Sequence, residues 1–208
     1  MRALPRLVFA LLVVAACKGK SAEPTVGSAA AGSAAPTAGS GSATAAGSGS
    51  GTGSATAATP KVFDGPTFTV ASTLPGPKLE TKDIETEVAG KTTMTAYEFA
   101  DPSDDNSVEM VETNPNPVKP GTISKVLENT IDGMTGAVKA TVDEKHLVTI
   151  GSARGYDFNA HFIDEDGEFF MRGRVAIKDD TLYQVIALGK GEKPTPVADA
   201  FVESFSLK

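Results

Sequence analysis

The 208-residue chain has one cysteine, two histidines and no apolar run long enough to cross a bilayer. A lone thiol rules out an intrachain disulfide. His146 and His161 fall in separate segments, outside any H-E-x-x-H spacing and without a cysteine partner, which excludes the common zinc arrangements. The leading apolar run, Leu7 to Val14, is far below the roughly 20 residues of a membrane-spanning helix. Gly151-Ser152-Ala153-Arg154-Gly155 sets its serine one place early for a nucleophile elbow. Gly189-Lys190-Gly191 lacks the second half of a phosphate-binding loop. Basic charge is also short, with 19 Lys/Arg against 26 Asp/Glu and a net charge of −7. Residues 1–60 hold four Lys/Arg and one Glu, a net +3, so residues 61–208 carry −10. That balance disfavours nucleic acid and anionic lipid surfaces as partners, since both need basic patches.

What is present begins with a leader. Arg2 and Arg6 precede the apolar run, and Ala15-Ala16 supply small residues before a cleavage point. Val14-Ala15-Ala16-Cys17 resembles the lipobox of bacterial lipoproteins. The resemblance implies that residues 1–17 are a signal ending at a lipidated Cys17, acylated on sulfur and on its new amino terminus. Several acyl chains hold firmly, at about 0.8 kcal/mol per buried CH₂. An ordinary secreted protein with a chance cysteine is the alternative. Lys18, with no aspartate after the cysteine, resembles an outer-membrane sorting pattern and favours the outer over the inner membrane.

Residues 18–60 are almost entirely Ala, Gly, Ser, Thr and Pro, with GSA recurring at Gly27, Gly32, Gly41 and Gly53. Such a segment buries too little apolar surface to offset its ordering entropy and reads as a tether with an r.m.s. reach of about 35 Å.

Residues 61–208 are long enough for one domain with a core. Ile123, Val126, Leu127, Ile131 and Met134 fall at helical spacing after Thr122, a candidate N-cap, with Gly136 as a stop. A second helix is expected over 195–205, with Val197, Phe201 and Phe205 inward. The rest reads as strands. A turn at Asp166-Gly167 places Phe162 opposite Met171, Ala160 opposite Gly173 and Phe158 opposite Val175, all apolar or small pairs. A second turn at Asp179-Asp180 completes a meander of 154–164, 168–178 and 181–189. Shorter strands are expected at 67–71, 91–100, 107–113, 138–142 and 145–151. One antiparallel sheet of six to eight strands with two helices packed on it is an α+β domain.

Phe68-Thr69-Val70 followed by Leu74-Pro75-Gly76, and the closing Ala200-Phe201-Val202-Glu203-Ser204-Phe205-Ser206-Leu207, resemble the opening strand, proline turn and terminal helix of PsbP/Mog1-like domains. The resemblance implies an antiparallel sheet flanked by helices, used as a binding or assembly module. It carries over no catalytic constellation and no cofactor.

The candidate binding face is the polar side of the meander: Asp157, Asn159, His161, Arg172 and Arg174. Two arginines, a histidine and an amide suit a carboxylate, a phosphate or an acidic envelope protein. A solvated face with cross-strand charge pairs reads the same way. Ile163 and Phe170 share that face. A hydrolase built on His161 and Asp157 is a rival, but four positions on one strand separate them by about 13 Å and demand a third residue. A calcium loop over 101–112 is another, with Asp101, Ser103, Asp105, Glu109 and Glu112 as oxygen ligands and Asn106 where glycine is usual. Its strand-like flanks favour a polar hairpin loop instead.

Overall fold

The computed structural model of the protein describes residues 59–86, 90–100, 106–119 and 121–208. Cys17, the leader, the tether up to residue 58, and Asp101, Ser103 and Asp105 lie outside the described residues.

Among the described residues, ten strands and two helices make an α+β domain. In chain order they are β1 (Lys61–Asp64), β2 (Phe68–Ser72), β3 (Lys78–Thr86), β4 (Gly90–Ala100), β5 (Ser107–Asn114), α1 (Ile123–Ala137), β6 (Thr141–Ile150), β7 (Ala153–Asp164), β8 (Gly167–Lys178), β9 (Thr181–Lys190), α2 (Pro196–Ser204) and β10 (Ser206–Leu207). The expected single sheet is two. Seven strands form an antiparallel sheet in the order β3-β4-β5-β9-β8-β7-β6, and β1-β2-β10 form a separate small sheet. Strand β2 has its ladder partners in β1 and β10, so its inward Phe68 and Val70 pack face to face on the large sheet.

Both faces of the large sheet are covered over its central strands, which is why β8 and β9 are buried almost without alternation. On one face α1 sets Leu127, Ile131 and Met134 against Phe158, Met171, Val175 and Ile186. Each of those three helix residues is fully buried, contributing roughly 1.5–3 kcal/mol. On the other face α2 and the small sheet set Phe68, Phe201 and Phe205 against Tyr97, Phe170 and Tyr183. Helix α2 turns inward through Ala198, Phe201 and Val202 while Val197 is exposed, a rotation from the expected face. Ser204 Oγ accepts the Ala71 N–H (2.8 Å) and ties α2 to the small sheet.

The helix ends differ from expectation. Thr122 does not cap α1 with its side chain, whose Oγ1 donates instead to the Lys119 carbonyl. Gly136 lies inside the helix, and the left-handed residue at its end is Lys139 (φ 57°), after which Ala140 N–H reaches the Thr135 carbonyl. The expected strands 138–142 and 145–151 are one strand, β6, with a bulge between Val142 and Glu144.

The meander register is shifted. Residues Glu165-Asp166 form the first turn, with Asp164 opposite Gly167, and Gly167 (φ 125°) takes the positive φ as the first strand residue. Phe162 therefore faces Phe169, Ala160 faces Met171 and Phe158 faces Gly173. The slip is two residues, so every side chain keeps its expected face. At the second turn Asp179 (φ 47°) and Asp180 (φ 57°) are both left-handed, and Ile177–Leu182, Gly173–Ile186 and Met171–Leu188 pair as expected.

The new register explains Gly173. The Phe158 ring lies on it, and a Cβ there would fall 2.3 Å from the ring. Gly173→Ala is expected to lower stability by roughly 1–3 kcal/mol through overpacking, read as a reduced urea midpoint. An unchanged midpoint would refute this packing.

Candidate functional site

The two-residue slip rewrites the expected polar face. Asp157 lies opposite Arg174, Asn159 opposite Arg172, and His161 opposite Phe170. Asp157 and Arg172 are 3% and 7% exposed, so this part of the face is closed to solvent. Arg174 Nη2 and Arg172 Nη2 both donate to Asp157 Oδ2, at 2.8 and 3.1 Å, while Arg174 Nε donates to Oδ1. Arg172 spends its other donors on the Gly173 carbonyl (3.1 Å), the Phe158 carbonyl (3.4 Å) and Asp199 Oδ1 in the first turn of α2 (3.2 Å). Burial opposes ionisation of Asp157, but Arg174 and then Arg172 outweigh it and hold the carboxyl below its ordinary value. The cluster staples α2 to the sheet, and its charges are matched internally.

The remaining members sit at the margin. His161 Nδ1 lies 2.8 Å from Asp143, the bulge residue of β6. Hydrogen bonding to Asp143 raises the imidazole's affinity for its proton. Asn159 Nδ2 reaches Glu144 at 3.5 Å. His161 and Asp157 thus have separate partners, and the rival hydrolase pair is not formed. Phe170 is fully buried under the α2-side cluster, while Ile163 is exposed near the hairpin tip, so the two make no common patch. Glu112, the twelfth position of the calcium reading, stands about 17 Å along β5 from Ser107. Its carboxylate accepts from Tyr97 OH (3.1 Å) and Thr67 Oγ1. Burial and then the Glu112 charge push Tyr97 up to about 12. Glu112 belongs to this contact between large and small sheets, and β4 and β5 stand where an EF-hand needs helices.

A second polar cluster lies on the α1 face. Glu109 and Thr113 alternate with Val111 on β5, and Gln184 of β9 stands directly opposite Val111. Gln184 is 0% exposed, and Glu109 and Thr113 are each 4% exposed. Among the described residues, Glu109 Oε2, Thr113 Oγ1 and both polar atoms of the Gln184 amide have no hydrogen-bond partner. Leaving such groups unpaired costs about 1–3 kcal/mol each. These residues separate two apolar clusters: Ile84, Met94, Ala96 and Val111 on one side, and the α1-covered Leu182, Ile186 and their neighbours on the other. Glu98 on β4 lies directly opposite Glu109, and Glu80 on β3 opposite Ala96. Burial, then Glu98, then Glu80 push the Glu109 carboxyl from 4.5 up to about 8.

Sequence reasoning missed this seam. Its signal is Gln184, one amide inside the otherwise apolar run Leu182-Tyr183-Gln184-Val185-Ile186-Ala187.

No family model matches the chain, and no curated protein matches it significantly. Among solved structures it is similar to cyanobacterial PsbP (CyanoP) from Synechocystis sp. PCC 6803, with a TM-score of 0.48 and 12% identity, covering 78% of this chain and 98% of that one. It is also similar to LpqN of Mycobacterium tuberculosis, involved in cell envelope biogenesis, with a TM-score of 0.40 and 11% identity over 62% of this chain and 91% of that one. PA94 from Pseudomonas aeruginosa, a protein of unknown function, follows at 0.31 and 6% identity over 63% of this chain and 83% of that one. The α+β architecture rests on the strand order and helix placement themselves.

Proposed function

We propose that this protein is a lipid-anchored lipoprotein of the bacterial cell envelope whose PsbP/Mog1-like domain is a non-catalytic binding or scaffold module. The anchor is Cys17, at the end of the leader Val14-Ala15-Ala16-Cys17, with the outer membrane favoured by Lys18. Among the described residues no helix is long and apolar enough to cross a membrane. The observation that carries the binding reading is the seam of Glu109, Thr113 and Gln184, polar groups buried without partners of their own.

Two measurements test the reading. Cys17→Ser is expected to abolish palmitate labelling and release the chain from the membrane fraction. An unlabelled native chain, or a variant that stays in the membrane, would remove the anchor. Crosslinking with mass spectrometry in intact cells is expected to return a recurrent envelope protein, and a chain that crosslinks to nothing reproducibly would remove the module.

A further inference from the structure

We propose that the seam between β5 and β9 receives a cationic nitrogen group, an ammonium or guanidinium, led in along the row Glu80, Glu98 and Glu109. The proposal rests on the binding-module reading and names the chemistry of its ligand.

The row has a direction. Glu80 is exposed, Glu98 is half-buried and Glu109 is buried, on three successive strands of one sheet face. Like charges opposite one another across a strand pair destabilise a sheet. The row escapes that cost by holding a proton on Glu109, or by taking in a positive charge that lets Glu109 ionise. On β3 and β4 the cations of this face are Lys78, opposite Glu98, and Lys82, opposite Met94. Both are exposed, and neither forms an ion pair with these carboxylates among the described residues. The acidic row alone would be a solvated face. The second observation is the interior end: Gln184, wholly buried, offers an unpaired carbonyl and an unpaired amide, beside unpaired oxygens of Glu109 and Thr113.

The oxygens select the ligand. Among the described residues no three acidic, histidine or cysteine side chains converge closely enough to hold a metal ion. An ammonium presents three N–H donors, and a guanidinium five in a planar fork, which suits acceptors spread over neighbouring strands. Glu109 Oε2, Thr113 Oγ1 and Gln184 Oε1 are such acceptors. The group has two natural sources, a basic side chain on a protein partner and a free polyamine.

The test uses the full-length lipidated protein in detergent micelles at pH 7, with two probes: a short lysine- and arginine-containing peptide, and spermidine. At ten times its Kd, a ligand is expected to raise the melting temperature by roughly 3 °C. Potassium chloride at matched ionic strength should give no such rise. Glu98→Gln with Glu109→Gln is expected to weaken binding roughly tenfold or more, the loss of charge-assisted hydrogen bonds. Lys78→Ala removes the nearest competing cation and is expected to tighten it. Glu165→Gln, in an exposed turn, should change nothing. A response to the peptide alone assigns the site to a protein side chain, and a response to spermidine as well assigns it to free amines. No response to either probe, or equal responses in the native chain and the double glutamine variant, overturns the proposal and leaves the seam to internal water. If crosslinked envelope partners survive in that case, the module reading stands and the seam assignment alone has failed.

Discussion

Asp157→Asn is expected to lower unfolding free energy by about 3–5 kcal/mol at pH 7, the cost of stranding a buried charge by removing its partner. The aspartate is 3% exposed and accepts from both Arg172 and Arg174. An asparagine there turns one oxygen into an N–H donor facing guanidinium donors. Arg172, with nowhere to go at 7% exposure, keeps only Asp199 at the rim as a charged partner. Folded Asp157 is held below its ordinary value of 3.8, so the stabilisation is present above that pH and is lost as pH falls through the lower folded value. The native chain should therefore show an acid limb in its stability profile that the variant flattens. Combining Asp157→Asn with Arg172→Met should cost less than the sum of the single losses, because the two groups act as one unit. Losses below about 1 kcal/mol, or strict additivity, would show that the cluster does not staple α2. The same burial makes charge reversal at Arg172 a report on folding and not on docking.

Much of this cluster was legible in the sequence, and its meaning was not. Alternation alone put Asp157, Asn159, His161, Arg172 and Arg174 on one face, and the two-residue slip preserved that face. Alternation cannot say what lies above a face. The cover is α2 and the small sheet, brought back from the two ends of the domain by contacts such as Ser204 to Ala71. The slip arose because Gly167 serves as the first strand residue, where a two-residue Asp-Gly turn would make it the second turn residue. Strand β3 escaped notice because Lys78–Thr86 is an exposed edge, with only Leu79 and Ile84 to mark a period. The lysine at the end of α1 escaped because glycine is the usual left-handed stop, and Gly136 stood nearby as a decoy. The seam was hidden for a different reason. Glu109 sits in Ser107-Val108-Glu109-Met110, where a charged residue on an alternating strand reads as solvent-facing. Only the arrangement of β5 between β4 and β9 buries it.

Glu109→Gln is expected to stabilise the domain in alkaline solution, an unusual sign for a change in a buried residue. The unfolded chain releases this proton near the ordinary value of 4.5, whereas the folded chain holds it up to about 8. Between those values the folded state binds more protons, so stability is fully present below 4.5 and declines as pH rises through about 8. At about 1.4 kcal/mol per unit, the decline attributable to this group is on the order of 5 kcal/mol. Burial is the first cause, and the Glu98 and Glu80 charges add to it, so Glu98→Gln should recover a smaller part of the same loss. Glutamine at 109 keeps the shape and a donor while removing the charge that must form. Urea midpoints measured from pH 5 to pH 9 should therefore fall in the native chain and stay nearly level in Glu109→Gln, the curves diverging most above pH 8. Parallel curves would mean that Glu109 ionises in the folded state at its ordinary value, which requires solvent or a cation already beside it. The size of the divergence thus measures how far the seam is from being filled.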